Sequence, residues 1–144
     1  MNVERAQLLA TRVHRGQVQR SGEPLIDHVG RVAASSPPSA RGVAWLHEVL
    51  EWTSVSEEEL LAEGVSDDEL RALRLLTRTI GRGTEAGYLA HINMIARADG
   101  PAGELARTVK ASDLNDRLDR SGPGPNPPYD RALRLILAAE APAA

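Results

Sequence analysis

The spacing of apolar residues is the feature that most restricts how this chain can fold. Aliphatic residues recur at intervals of three and four in one segment after another, which is the spacing of a single face of an α-helix. No segment alternates regularly enough between apolar and polar residues to predict a β-strand. Because the chain has no Phe and only 3% aromatic residues, Leu, Val, Ile and Ala must fill the core. Cores rich in Leu and Ala are usually helical, so the sequence predicts an all-α fold.

Capping and turn residues set the ends of the predicted helices. Ser56 with Glu59 and Ser66 with Glu69 have the spacing of a capping box, which starts a helix. We expect helices over 3–14, 26–33 and 39–53, two more after the capping serines, two that begin near 84 and 101, and a last one after 128. The residues expected along their buried stripes are Ala6, Leu9, Ala10, Val13, Ile26, Val29, Val32, Ala33, Val43, Leu46, Leu50, Leu70, Leu73, Leu76, Ile80, Leu89, Ile92, Ile95, Leu105, Val109, Leu114, Leu118, Leu133, Ile136 and Leu137.

The length of the chain fits one domain. Its 144 residues, of which 42% are hydrophobic, are enough for one continuous core and too few for two ordinary domains. We therefore expect a single-domain helical bundle over 1–144. Within it, segment 121–128 is rich in Pro and Gly and predicts a connector to a C-terminal helix, while 81–83 predicts a shorter loop.

Charge and composition exclude several classes of partner. A net charge of −3 and a pI near 5.8 do not provide the concentrated positive surface that nucleic-acid binding needs. No segment approaches the roughly 20 apolar residues needed to cross a bilayer, and the start of the chain, with Glu4 and Arg5, has no apolar signal segment. Without Cys there are no disulfides or thiol nucleophiles. We expect a cytoplasmic protein that binds a small molecule.

Residues of the types that bind metals lie on three of the predicted helices: His28, the adjacent pair His47 and Glu48, and Asp113. Two imidazoles with two carboxylates suit Mn²⁺, Fe²⁺, Co²⁺ or a catalytic Zn²⁺, whereas a closed structural zinc site favours thiolates. These side chains can meet only if the three helices pack as a bundle. The sequence therefore predicts one divalent metal ion, which would also neutralise the two buried carboxylates.

Neighbouring residues predict what such a centre would do. Glu51 lies one helical turn beyond His47, on the same face, and is placed to orient or deprotonate a water. Lys110 lies three residues before Asp113, where it can either pair with that carboxylate or meet a substrate phosphate. Arg20 is a further candidate for a phosphate contact, and the indole of Trp52 is placed to line the pocket. This arrangement is typical of a hydrolase.

Three segments in order carry a resemblance to a known family: 14–28 (HRGQVQRSGEPLIDH), 45–53 (WLHEVLEWT) and 108–113 (TVKASD). Together they resemble the HD-domain metal-dependent phosphohydrolase superfamily, and within it the alarmone hydrolase branch, which acts on guanosine tetraphosphate. The resemblance covers roughly residues 5 to 120. It implies an all-helical domain, a Mn²⁺-like ion, and removal of phosphate or pyrophosphate from a nucleotide. It also places His28, His47, Glu48 and Asp113 on the metal positions and Glu51 on the acid that assists the attacking water.

The chain departs from the family pattern at several positions of the site. Glu48 stands where the family has the Asp of its His-Asp pair, and Trp52 stands where the alarmone branch has a second acid. In the pocket, Gln19 replaces an arginine, with Arg20 next to it, and Leu25 replaces a tyrosine. Arg117 occupies the register of a family asparagine, although Asn115 lies nearby and is the candidate for that substrate contact.

Two hypotheses of different classes follow. The first is a metal-dependent phosphohydrolase acting on an alarmone-like nucleotide or another small phosphorylated metabolite, with Mn²⁺ as the expected ion and Fe²⁺, Co²⁺ or Zn²⁺ as alternatives. The second is a catalytically silent HD domain that binds a nucleotide or a protein partner, which the changes at Glu48 and Trp52 favour. A scaffold role is a third hypothesis. Of the other histidines, His14 is expected to cap or brace the first turn rather than bind metal, and His91 to lie in packing or at the surface.

Overall fold

The computed structural model describes residues 1–79 and 82–140, and within them every regular element is a helix. No β-strand occurs in this part of the chain, where the one extended pairing is a single bridge between Val18 and Pro24. The all-α prediction is therefore confirmed. Ile80 and Gly81, which the sequence placed on a buried stripe and in a loop, lie outside the described residues. The helices are α1 (Val3–Val13), α2 (Leu25–Ser35), a 3₁₀ turn (Pro38–Ala40), α3 (Arg41–Leu46), α4 (Val49–Trp52), α5 (Glu57–Ala62), α6 (Asp67–Leu76), α7 (Glu85–Arg97), α8 (Gly100–Arg120) and α9 (Pro127–Glu140).

Side-chain caps start four of the described helices, and the sequence predicts two of them, at Ser56 and Ser66. Asn2 caps α1 by accepting from the Arg5 backbone. Ser56 accepts a hydrogen bond from the backbone of Glu59 at the start of α5, and the Glu59 carboxylate reaches back to the Ser56 backbone. The same reciprocal box forms between Ser66 and Glu69 at α6. Thr84 caps α7 by accepting from the backbone of Gly87. Each cap satisfies amide groups that the first turn of a helix leaves without a partner.

Helix α8 is the centre of the bundle. It packs against α2, α6, α7 and α9, while α1 and α2 pack on α3. The resulting core is aliphatic, as the composition requires, and its largest fully buried apolar residues include Val29, Val32, Val43, Leu46, Leu60, Leu73, Ile92, Ile95, Leu114 and Ile136. None of the helices in the described part of the chain is long and apolar enough to cross a bilayer.

The third predicted helix is wrong in one respect, because it is broken in the middle. The segment 39–53 forms α3 and α4 with a turn at His47 and Glu48 between them. The Ala44 carbonyl accepts from the His47 backbone at 3.4 Å and also from the His47 ring, whose Nδ1 lies 2.6 Å away. A tightened last turn of this kind ends α3. It also turns both side chains towards the interior of the bundle.

The last helix buries a narrower face than the sequence predicts. Ala132 and Ile136, four residues apart, are fully buried, whereas Leu137 is 52% exposed. The reason is that α9 lies at the edge of the bundle and contacts only α7 and α8 closely. Leu89, Leu105 and Leu118 are likewise only partly buried. The irregular connector covers 121–126, since α9 begins at Pro127 and its two prolines form the first turn, where a missing amide hydrogen costs nothing.

The start of α8 is fixed by a close approach of two backbones. A Cβ atom at Gly103 would overlap the carbonyl oxygen of Ala98, at the end of α7. That carbonyl cannot easily move, because the Arg107 guanidinium donates to it at 2.6 Å. Gly103 thus sets the distance between α7 and α8.

We expect Gly103→Ala to lower the free energy of unfolding by about 2 kcal/mol or more, because the added methyl group must push the two backbones apart. Urea denaturation measures this. Gly30→Ala is the matched control, since a Cβ there would lie 3.4 Å from the Trp45 ring, an ordinary contact. Alanine is the better helix former, so Gly30→Ala should stabilise the protein by up to about 1 kcal/mol. Equal effects of the two substitutions would contradict the close approach at Gly103.

Candidate metal centre

Four side chains from distant parts of the chain meet in the interior. His28 comes from α2, His47 and Glu48 from the turn between α3 and α4, and Asp113 from the middle of α8. All four are buried, and each offers a nitrogen or oxygen atom within 4.8 Å of the others. We call this group the His/Glu/Asp cluster. The sequence predicted that these side chains would meet, and their role as metal ligands stays a prediction.

The distances within the cluster are those of groups that face a common point. His28 Nε2 lies 2.9 Å from Asp113 Oδ1 and 3.9 Å from Glu48 Oε1. His47 Nε2 lies 3.3 Å from Glu48 Oε1 and 3.8 Å from Asp113 Oδ1. The rings of the two histidines meet edge to face, with centroids 5.7 Å apart. Both imidazoles therefore present the same nitrogen, Nε2, to the two carboxylates.

The other nitrogen of each imidazole is tied back by an acceptor. His28 Nδ1 lies 2.7 Å from Asp116 Oδ2, and His47 Nδ1 lies 2.6 Å from the Ala44 carbonyl oxygen. A carboxylate and a carbonyl can only accept, so each Nδ1 carries the hydrogen. Histidines that bind metals are usually held in this way, with a carboxylate or carbonyl fixing the tautomer and the ring orientation.

Sequence reasoning missed Asp116 and its partner. Arg31 on α2 donates to Asp116 Oδ1 at 2.7 Å and to Glu23 at 2.7 Å. Arg31, itself fixed by Glu23, thus holds the acceptor of His28 in place. The available signal was spacing, because Asp116 lies three residues after Asp113 and therefore on the same side of α8.

The donor set and its geometry fit a divalent cation. His47 Nε2 is buried and has no hydrogen-bond partner among the described residues, because its approach to Glu48 lacks the geometry of a hydrogen bond. His28 Nε2 likewise faces an oxygen of Asp113. Facing acceptors at 2.9 Å need a proton or a cation between them. Two imidazole nitrogens with two carboxylate oxygens suit a first-row divalent ion.

Two protein cations also reach the cluster, so the expected repulsion between Glu48 and Asp113 is already offset. Lys110 Nζ lies 2.9 Å from Asp113 Oδ2, and Arg117 Nε lies 3.0 Å from Asp113 Oδ1. Arg117 Nη2 approaches Glu48 Oε1 to 3.3 Å. Burial alone would raise the pKa of Asp113, but the charges of Arg117 and Lys110 hold it well below its ordinary value. The predicted pairing of Lys110 with Asp113 is thus present, and its contact with a substrate phosphate stays a prediction.

The imidazole of His47 takes part in this balance. Burial lowers its pKa, but the carboxylates of Asp113 and Glu48 beside it outweigh burial and raise the pKa to about 10. Burial likewise raises the pKa of Glu48, and His47 opposes it, so that the pKa falls to about 2. In the absence of an ion, positive and negative groups therefore alternate around the cluster.

Three cavities border the cluster. One, of about 400 Å³, is lined by His28, Asp116 and Arg117, among others, and the other two both reach Glu48. The larger of these two, of about 470 Å³, is lined by Gln17, Gln19, Arg20, Leu25, Glu48, Trp52 and Arg117. The smaller, of about 200 Å³, is lined by His47, Glu48, Glu51, Trp52, Arg78, His91, Lys110 and Arg117, among others. Trp52 lies at the edge of both and is 51% exposed, with the Arg82 guanidinium 5.4 Å from the ring centroid. A ligand can therefore reach the cluster from outside.

Glu51 lies in the smaller cavity with one oxygen engaged. Its Oε1 accepts from the backbone nitrogen of Arg78 at 2.8 Å, and its Oε2 lies 3.8 Å from an Arg82 nitrogen. The first contact ties α4 to the segment that follows α6. The second oxygen is the one left to interact with a ligand or a water.

Of the two candidates after Asp113 on α8, Arg117 faces the cluster and Asn115 does not. Asn115 is exposed and is not among the residues that line the two cavities. Two residues along a helix point to nearly opposite sides, whereas four residues return to the same side. The position that the motif's spacing selects, Arg117, therefore lies in the site, whereas Asn115, which is merely close to it in sequence, does not.

The remaining histidines are both buried. His14 ends α1, and its Nδ1 lies 2.8 Å from Gln17 Oε1, which agrees with a bracing role. His91 of α7 lines the smaller cavity opposite Lys110 and Arg78. Burial lowers the pKa of His91 to about 4, and the charges of Lys110 and Arg78 act in the same direction.

We expect His91 to make stability depend on pH. Between pH 7 and pH 5 the unfolded chain, in which this imidazole has its ordinary pKa of 6.5, takes up a proton before the folded protein does. Stability should therefore fall as the pH drops. The full shift corresponds to about 2 kcal/mol over this interval, and because solvent in the cavity screens part of it we expect about 1 kcal/mol. Urea denaturation at both pH values in EDTA should show a smaller drop for His91→Gln, and equal drops would contradict the assignment.

Comparisons with known proteins show a fold but no matching sequence family. No family model matches the chain, and no curated protein matches it by sequence. Among solved structures, the chain is similar to one described as a metazoan ortholog of SpoT that hydrolyses ppGpp and plays a role in starvation responses. The two share 18% sequence identity with a TM-score of 0.67, over 95% of this chain and 84% of the other. The chain thus has the helical HD-type fold, with a buried His/Glu/Asp cluster that fits an HD-type site.

Proposed function

We propose that the protein is a metal-dependent phosphohydrolase that acts on a nucleotide or another small phosphorylated metabolite. One observation carries the proposal: two imidazoles, each tied back through Nδ1, present Nε2 to two buried carboxylates, and His47 and Glu48 also line a cavity. Such an arrangement has little use in packing, where buried carboxylates cost free energy. It is well suited to a divalent cation.

In this proposal His28, His47, Glu48 and Asp113 hold one divalent ion, for which Mn²⁺ is the first choice and Fe²⁺, Co²⁺ or Zn²⁺ are alternatives. When bound, such an ion supplies Lewis-acid polarisation of a phosphate and acidification of a water. Asp116 and the Ala44 carbonyl keep the two imidazoles in the binding tautomer.

Glu51 is the proposed general base. Its Oε1 is held by the backbone of Arg78, so Oε2 is the atom that would accept a proton from the attacking water. The oxygen of that water would form the new bond to phosphorus while the bond from phosphorus to the leaving group breaks. An Arg82 nitrogen lies 3.8 Å from Oε2 and can pair with it.

The larger cavity is the proposed substrate pocket. The half-exposed indole of Trp52 can stack on a base, and Arg20, which lines the same cavity, adds a positive charge for a phosphate. Lys110, which pairs with Asp113, also lines the smaller cavity. The similar metazoan protein hydrolyses ppGpp, which supports a nucleotide as the substrate class.

The second candidate is a catalytically silent HD domain that binds a nucleotide or a protein partner. A specific observation favours it: Arg117 and Lys110 already neutralise the carboxylates of the cluster. The family's second acid is also replaced by Trp52 in this chain. Metal analysis separates the two candidates, because a silent domain of this kind would take up no Mn²⁺ after purification or dialysis.

We expect Mn²⁺-dependent phosphate or pyrophosphate release from one or more members of a panel that includes ppGpp and common nucleotides. His47→Ala and Asp113→Ala should abolish it. Glu51→Gln should lower kcat on the order of 10²-fold or more while Mn²⁺ binding is retained, because only proton transfer is lost. Glu58→Gln, an exposed Glu to Gln change on α5, is the control and should behave like the unaltered protein. Equal product release from all variants would overturn the mechanism.

We expect Asp116→Asn to weaken Mn²⁺ binding by roughly 10- to 100-fold, because the amide no longer holds the His28 ring as a carboxylate does. Isothermal titration calorimetry on metal-stripped protein measures this. Asp119→Asn on the exposed side of the same helix is the matched control, with the same change in charge. Similar affinities for both variants would show that Asp116 has no part in orienting a metal ligand.

A further inference from the structure

Arg117 is the residue that the proposed function leaves without a role. Its side chain, 28% exposed, extends from α8 into the His/Glu/Asp cluster. Its Nε lies 3.0 Å from Asp113 Oδ1, and its Nη2 lies 3.3 Å from Glu48 Oε1 and 3.5 Å from His28 Nε2. The guanidinium thus contacts three of the four groups of the cluster.

These contacts use the atoms that a divalent ion would need. Asp113 Oδ1, Glu48 Oε1 and His28 Nε2 are the inward-facing atoms of their side chains. A guanidinium is always charged and can only donate, so it satisfies these acceptors as a metal ion would. An ion among the same atoms would lie close to a like charge, which is strongly unfavourable in a buried site. The two cations therefore exclude each other.

The Arg117 side chain can also adopt a position outside the cluster. It lines both the larger and the smaller cavity, so the end of its side chain can leave the cluster without unfolding α8. Lys110 does not occupy the same atoms, because it binds the other oxygen of Asp113, Oδ2, at 2.9 Å. Withdrawal of Arg117 alone would free Asp113 Oδ1, Glu48 Oε1 and His28 Nε2 together.

We propose that Arg117 is a tethered competitor of the divalent ion, which holds the cluster in the ion-free protein and must withdraw before the ion can bind. The proposal rests on the proposed function only in taking the cluster as a metal site. According to this proposal, Arg117 lowers the affinity of the cluster for metal although it is not itself a ligand. It also accounts for how two buried carboxylates are tolerated without an ion.

Calorimetric titration of Mn²⁺ into metal-stripped protein tests this. Arg117→Gln, which keeps a hydrogen-bonding side chain but removes the charge, should bind Mn²⁺ on the order of tenfold more tightly or better. Arg120→Gln, one turn further along α8 and exposed, makes the same change in net charge and should leave the affinity unaltered. Equal or weaker binding by Arg117→Gln than by the unaltered protein would overturn the proposal, as would equal gains for both variants.

A second measurement uses the unaltered protein and does not depend on how well a variant folds. In ion-free protein the Arg117 Nε hydrogen is bonded to Asp113, so its nuclear magnetic resonance signal should exchange slowly with solvent. Addition of Zn²⁺, which is diamagnetic, should move that signal and speed its exchange as the site fills. An unchanged signal at saturation would show that ion and guanidinium share the cluster.

The outcomes also separate this proposal from the one before it. If His47→Ala abolishes Mn²⁺ binding while Arg117→Gln and the unaltered protein bind alike, the metal site stands and the competitor role is wrong. If none of the three proteins binds Mn²⁺ at millimolar concentration, the metal site itself is wrong and both proposals fall.

Discussion

The carboxylate of Asp113 is the group on which the rest of the site depends. It lies inside the bundle on α8, the helix that packs against α2, α6, α7 and α9, and an isolated charge there would cost several kcal/mol. The structure offsets this cost with Lys110 on one oxygen and with Arg117 and His28 on the other. The loss of any one partner leaves a buried charge less well satisfied. The interior of this protein therefore holds a group of paired charges, and aliphatic side chains surround it.

Much of the fold could be predicted from the sequence, because local physical rules decide it. The intervals of three and four between aliphatic residues, together with the capping boxes at Ser56 and Ser66, predict helices that the structure confirms to within a few residues. The break at His47 and Glu48 could not be predicted in this way. It depends on the His47 side chain, which hydrogen-bonds to the Ala44 carbonyl of its own helix. Tertiary packing at the site, and not helix propensity, decides whether that bond forms.

The site was predictable in its inner residues and not in its surroundings. Ligand types in family order identified His28, His47, Glu48 and Asp113, which lie together as expected. Asp116 and Arg31 were missed, because charged residues on helix faces are usually solvated and only the packing of α2 on α8 brings these two together. The reach of Arg117 into the cluster depends on a rotamer, which no spacing rule contains.

Helix α8 carries Lys110, Asp113, Asp116 and Arg117 on one side, and its start is fixed where Gly103 meets the Ala98 carbonyl. An α-helix turns by about 100° per residue, so a single residue inserted or deleted between 103 and 110 would rotate all four side chains away together. Residues in this part of the chain can therefore be substituted, but none can be inserted or deleted without disrupting the site. The length of one helical segment is as strict a requirement for the site as the identity of any residue in it.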